Sequence, residues 1–83
     1  RDPAALAAAT REFDAELVIH MAAQAIVRTS FDAPVETLAT NVMGTAHVLE
    51  AARRMPSCRG VVVVTSDKCY RNASRGRDYR ESD

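Results

Sequence analysis

Four consecutive valines, Val61 to Val64, run without interruption into Thr65-Ser66-Asp67-Lys68-Cys69-Tyr70. A short β-branched run of this kind reads as a strand buried on both faces, the kind found in parallel sheets covered by helices. In open sheets of that type, ligands bind outside the carboxyl ends of the strands. The valine strand thus stops on a hydroxyl, a carboxylate and an amine at the point where an α/β sheet places its chemistry. Ser66, Asp67 and Lys68 are the candidate catalytic residues.

The chain upstream supports a parallel sheet. Asp2-Pro3 followed by Ala4-Ala5-Leu6-Ala7-Ala8-Ala9 reads as a cap, a proline in the first turn and strong helix formers, a helix predicted to reach about Phe13. Asp14-Ala15-Glu16 turns the chain into Leu17-Val18-Ile19-His20-Met21, a second short apolar run. From Ala22 to Ser30 the sequence reads as a loop or one irregular turn. One long helix is then predicted from Asp32 to Met55, capped by Asp32, with Pro34 in its first turn and Pro56 ending it. Its predicted apolar face is Val35, Leu38, Ala39, Val42, Met43, Ala46, Leu49 and Ala52. Gly44 inside it implies a close approach by another helix or the sheet. Two strands joined by such a helix make a βαβ unit, which is parallel. Residues 71–78 read as a polar loop.

Composition narrows the partners. Eleven basic residues balance eleven acidic ones, so no global charge attracts nucleic acid or an anionic membrane. No apolar run approaches the ~20 residues that span a bilayer. Cys58 and Cys69 make neither a disulfide framework nor a zinc spacing, and no metal site is expected; two reduced thiols suit a cytoplasmic protein. The opening Arg1-Asp2-Pro3 and the closing Arg80-Glu81-Ser82-Asp83 read as cuts through a longer chain. His20 reads as a satisfied core histidine and His47 as a surface residue.

Three motifs now stand in order: His20-Met21-Ala22-Ala23-Gln24 after a strand, Thr40-Asn41-Val42-Met43-Gly44-Thr45 in the next helix, and Thr65-Ser66-Asp67-Lys68-Cys69-Tyr70 after the next strand. Together they resemble the extended short-chain dehydrogenase/reductase family, which acts on nucleotide sugars. Ser-Asp-Lys-Cys-Tyr, with Ala22-Ala23-Gln24 and Val27-Arg28, is most similar to its 4,6-dehydratase branch acting on CDP-glucose. The resemblance implies an α/β fold, part of a Rossmann-type doubly wound parallel sheet, with residues 1–83 an internal part of an NAD-binding domain. It implies NAD as cofactor, a nucleotide-sugar substrate and a homodimer or higher homo-oligomer, with the 32–55 helix a candidate for the helical interface. Ala22, Ala23, Gln24, Asn41 and Thr65 fall on cofactor-binding positions. Ser66 matches the hydroxyl beside the sugar's C4 oxygen, and Arg28 and Ser30 fall in the loop facing the hexose or phosphates.

The family's chemistry, in this reading, oxidises C4, eliminates water across C5 and C6, and returns the hydride to C6. Asp67 matches the acid of the elimination, while Lys68 stands where related dehydratases place a glutamate base. A lysine abstracts a proton only when neutral, and an ionised Asp67 beside it opposes that state. A protonated Asp67 removes the opposition, so Lys68 acts either as base in that coupled state or as a cation beside the enolate. The family's Gly-rich turn and Tyr-x-x-x-Lys pair would lie outside these 83 residues, which are expected to be inactive alone. The alternatives are another nucleotide-sugar enzyme of the same fold, an epimerase or a dTDP- or GDP-sugar dehydratase, and a non-catalytic α/β interaction segment.

Overall fold

The first helix forms as its sequence dictates. In a computed structural model, which describes residues 2–66 and 80–82, α1 spans Pro3–Phe13. The Asp2 carboxylate accepts the Ala5 N–H at 3.0 Å, and Pro3 occupies the first turn, where no N–H is needed. The helix stops where Asp14 turns left-handed at φ 50° and donates its N–H to the Thr10 carbonyl at 2.7 Å. Asp14 also reaches across the fold. Its carboxylate accepts the Ser57 hydroxyl at 2.8 Å and the Ser57 N–H at 3.2 Å. One residue thereby ties the turn before the first strand to the turn before the second.

Those strands are β1, Leu17–His20, and β2, Gly60–Val63, and they pair in parallel. The register sets Leu17 opposite Gly60, Val18 opposite Val61, Ile19 opposite Val62 and His20 opposite Val63. Pairing continues past both ends through Arg59 N–H to the Glu16 carbonyl at 2.8 Å and Val64 N–H to the His20 carbonyl at 2.9 Å. Alternation then divides the sheet. Val18 and Val61 are half-buried and His20 is buried, whereas Leu17, Ile19 and Val62 are exposed on the other face. The parallel βαβ arrangement expected from the sequence is present.

The crossover differs from the expected single helix. Val27–Asp32 is already helical (α2), where a loop was expected up to Ser30. Val, Thr and Ser are weak helix formers. The turn is organised instead by Gln24, whose side chain accepts the Ile26 N–H at 2.6 Å and donates to the Ile26 carbonyl at 3.1 Å. Asp32 closes α2 rather than capping the next helix. Ala33, with φ −135° and ψ 66°, breaks the chain because a residue before proline is kept out of the helical region. Helix α3 follows over Pro34–Leu38, then a π-helical turn over Ala39–Met43, then α4 over Gly44–Arg54.

Of the expected apolar face, only Ala52 is buried and Ala39 half-buried; the rest of the packed face is made by other residues. Thr40, Asn41, Gly44, Thr45 and Val48 are half-buried, and Ala51, Ala52 and Met55 are buried against α1 and the sheet. These residues recur at three- and four-residue steps, but they are mostly small or polar. Val35, Leu38, Val42, Met43 and Leu49, the core of the predicted stripe, are exposed. Small side chains let the helix lie close to α1, and that contact decides which face turns inward. Among the described residues, a Cβ added at Gly44 would meet only the Ala39 carbonyl, at an ordinary 3.7 Å, so no close approach by another of these elements explains this glycine. His47, expected at the surface, is half-buried beside a cavity of about 470 Å³ along β1 and α1.

Candidate functional site

Parallel pairing brings both strands to an end at one level, with His20 beside Val63. Beyond them the chain leaves as Met21–Gln24 on one side and Val64–Ser66 on the other. An open cleft of about 730 Å³ lies there, lined by Ala22, Ala23, Gln24, Asn41, Thr65 and Ser66, with His20, Thr45 and Val63 among the other lining residues. All five residues expected at the cofactor and the hydroxyl expected at the sugar thus share one cavity. Residues 40 and more apart in sequence meet because β2 returns parallel to β1.

A hydrogen-bond network shapes the floor of this cleft. The Asn41 side chain accepts the Gln24 N–H at 2.7 Å and donates to the Gln24 carbonyl at 3.0 Å. A primary amide matched to a backbone amide in this way satisfies both groups of a loop residue at once. The Gln24 side chain donates in turn to the Thr37 hydroxyl at 3.2 Å as well as bracketing Ile26. Gln24 and Asn41 therefore direct their polar atoms at each other and at the loop. Ala22 and Ala23, exposed and ending at Cβ, leave the cleft side of that loop as bare backbone.

His20 anchors the far end of the network. It is buried, at 8% exposure, and its Nε2 lies 3.1 Å from the Thr45 hydroxyl. That hydroxyl donates to the Asn41 carbonyl at 2.6 Å, four residues back along the helix. The core role expected for His20 is the one observed. Thr45 and Thr37 were not singled out from sequence. The signal was available for Thr45, which stands one turn after Asn41 on the helix face turned toward the strand end.

Arg28 and Ser30 do not enter the cleft. Both lie on α2, where Arg28 is exposed and the Ser30 hydroxyl donates to the Val27 carbonyl at 2.5 Å. Their neighbour Val27 does line it. Asp67 and Lys68 lie outside the described residues, as does Tyr70. Among the described residues, no group of three His, Cys, Asp or Glu is placed to hold a metal ion, and no helix is long and apolar enough to cross a membrane.

One charged cluster stands on α4, outside the cleft lining. Glu50 on α4 accepts Arg53 through Nε at 2.8 Å and a second nitrogen at 2.7 Å, and Arg54 Nε at 2.9 Å. The Arg53 hydrogen bonds, followed by the one from Arg54, lower the Glu50 carboxyl from 4.5 to about 2. The cluster is exposed and lies in the last two turns of the helix, where the arginines also face the negative end of the dipole.

Comparison with known proteins covers the same elements that build the cleft. The chain is 50% identical over 72 residues to CDP-glucose 4,6-dehydratase of Salmonella typhimurium, a match covering 87% of this chain and 20% of that protein. It therefore spans about a fifth of the length of the curated relative it matches. The family model described as GDP-mannose 4,6 dehydratase matches residues 1–82, from the cap of α1 through both strands and the residues beyond them. With a match over nearly its whole length, the chain belongs to the GDP-mannose 4,6 dehydratase family.

Proposed function

We propose that this chain is an internal part of a Rossmann-type NAD-binding domain in an enzyme that converts CDP-glucose to CDP-4-keto-6-deoxyglucose. The observation that carries this reading is the cleft, which gathers Ala22, Ala23, Asn41, Thr65 and Ser66 at the ends of two parallel strands. Its likeness to a CDP-glucose 4,6-dehydratase supports the choice of sugar nucleotide.

The residues present fit a dinucleotide. The cleft, at about 730 Å³, falls within the roughly 300–1,000 Å³ usual for small-molecule sites, and its floor is alanine backbone that a long ligand passes without collision. Bound NAD would supply the hydride acceptor for C4 and the hydride donor for C6. Ala22 and Ala23 keep the floor clear, and Gln24 and Asn41 hold its backbone in place through their mutual hydrogen bonds. Thr65 borders the nicotinamide end. The Ser66 hydroxyl holds the C4 oxygen of the sugar, Asp67 gives its proton to the departing C6 hydroxyl, and Lys68 takes the C5 proton or offsets the enolate charge. Arg28 and Ser30 follow Val27 at the cleft's border, so they meet only a ligand long enough to pass it. The exposed stripe of Val35, Leu38, Val42 and Leu49 is offered to a second copy in a cytoplasmic homo-oligomer.

The test uses the full-length protein and CDP-glucose carrying deuterium at C4. The expected product has lost one water and carries the deuterium at C6. A water-loss product with no deuterium at C6 refutes internal hydride return, and no turnover of CDP-glucose beside turnover of the dTDP or GDP sugar refutes the nucleotide. Retention of the native C5 proton exchange rate by Lys68→Gln would exclude Lys68 as the base.

A further inference from the structure

We infer that His20 and Thr45, neither of which contacts the proposed ligands through a reacting atom, are positioning residues that set the cofactor-facing loop Ala22–Gln24. The inference deepens the proposed NAD site and rests on that reading.

Thr45 has a single hydroxyl hydrogen, and the 2.6 Å contact to the Asn41 carbonyl commits it there. The hydroxyl oxygen is then an acceptor toward His20, so the ring nitrogen 3.1 Å away carries its hydrogen on Nε2. The order of donation is His20 to Thr45 to the Asn41 carbonyl. Asn41 lies in the π-helical turn, where the ladder widens and Gly44 donates its N–H to Ala39, five residues back. Such turns disturb regular carbonyl pairing, and at this step the Asn41 carbonyl takes the Thr45 hydroxyl as a side-chain donor.

The consequence falls on the other side of Asn41. Its side chain must meet both the N–H and the carbonyl of Gln24, at 2.7 and 3.0 Å, which demands a fixed rotation of the residue. His20 is the last residue of β1 and Gln24 lies four residues on, so the relay and the Asn41 amide close a ring around Met21–Ala23. His20 and Ala22 both border the strand-end cleft and the cavity along α1. The loop that leaves bare backbone toward the cofactor is thereby fastened at both ends by buried or half-buried groups.

The experiment compares Thr45→Val and Thr45→Ser in the full-length protein by NAD titration, thermal midpoint and amide exchange at Gln24. Thr45→Val keeps the side-chain shape and breaks both bonds; its NAD dissociation constant should rise on the order of fivefold, the worth of one hydrogen bond. Thr45→Ser should restore wild-type binding, and nitrogen NMR should show His20 protonated on Nε2. A Thr45→Val protein with a lowered midpoint but unchanged NAD affinity overturns the positioning role. If wild type itself fails to bind NAD, the proposed function falls; faster Gln24 exchange in Thr45→Val still upholds the relay's hold on the loop, and unchanged exchange overturns it.

Discussion

Asn41→Ala isolates the amide clamp beneath the candidate cofactor site. The substitution removes two hydrogen bonds, to the Gln24 N–H at 2.7 Å and to its carbonyl at 3.0 Å. Both are neutral and half-buried, so each contributes about 1 kcal/mol net and the pair about 2 kcal/mol. Alanine is the better helix former, which returns about 0.6 kcal/mol. The remaining loss of about 1.4 kcal/mol corresponds to roughly tenfold in the local opening equilibrium. Amide hydrogen exchange at Gln24 in the full-length protein reads that quantity directly, with the neighbouring Ala23 as a second probe. Asn41→Asp should fall between wild type and alanine, because the carboxylate still accepts the Gln24 N–H but no longer donates to its carbonyl. Gln24 exchange within threefold of wild type in Asn41→Ala would show that the loop is held by something else, and the clamp argument would fail.

Three further outcomes follow from particular contacts. At Asp14, φ is 50°, so Asp14→Ala loses the Ser57 bonds and also strains the backbone, whereas Asp14→Gly loses only the bonds; urea unfolding should find alanine less stable than glycine by about 1 kcal/mol, and equal stability would remove the left-handed turn from the argument. Because Glu50 is lowered to about 2, its contribution is present above the ordinary 4.5 and is lost as pH falls through about 2. Glu50→Gln should flatten that acid limb, high salt should weaken it because the cluster is exposed, and a Glu50 titration by NMR at the ordinary value contradicts the reading. Val42→Glu places a charge in the exposed stripe and should shift the full-length protein toward monomer in light scattering; an unaltered oligomer, or a monomeric wild type, removes this face from the interface.

Much of the fold was legible because it depends on local chemistry. Asp2-Pro3 before an alanine run specifies a helix start whatever lies around it, and α1 begins there. Leu17–His20 and Gly60–Val63 are short apolar runs bounded by turns, and both form strands of the parallel pair expected of them. The crossover departs from its local signals at two places. Asp32 resembles a cap, but Pro34 acts on Ala33 and breaks the chain one residue later. Val27–Asp32 has poor helix formers, yet Gln24 folds its side chain onto Ile26 and starts a helix there. The gathering of Ala22, Asn41 and Ser66 into one cleft was anticipated through the resemblance, while the hydrogen bonds that link Asn41 to Gln24 and to His20 were not.

The sequence by itself determined that two apolar strands would run parallel, and that their carboxyl ends would carry alanines on one side and Thr65-Ser66 on the other. Period, capping and the length of the crossover require no knowledge of the remaining contacts. Only the tertiary structure decided which face of the crossover turns inward. Hydrophobicity alone favours Val35, Leu38, Val42 and Leu49, but the packed face is Val48, Ala51, Ala52 and Met55. A helix lying against both α1 and a strand needs short side chains more than it needs large ones, and close packing rewards fit over bulk. The same rotation carries Asn41 and Thr45 to the strand end, where their polar groups meet the partners that the loop and His20 provide.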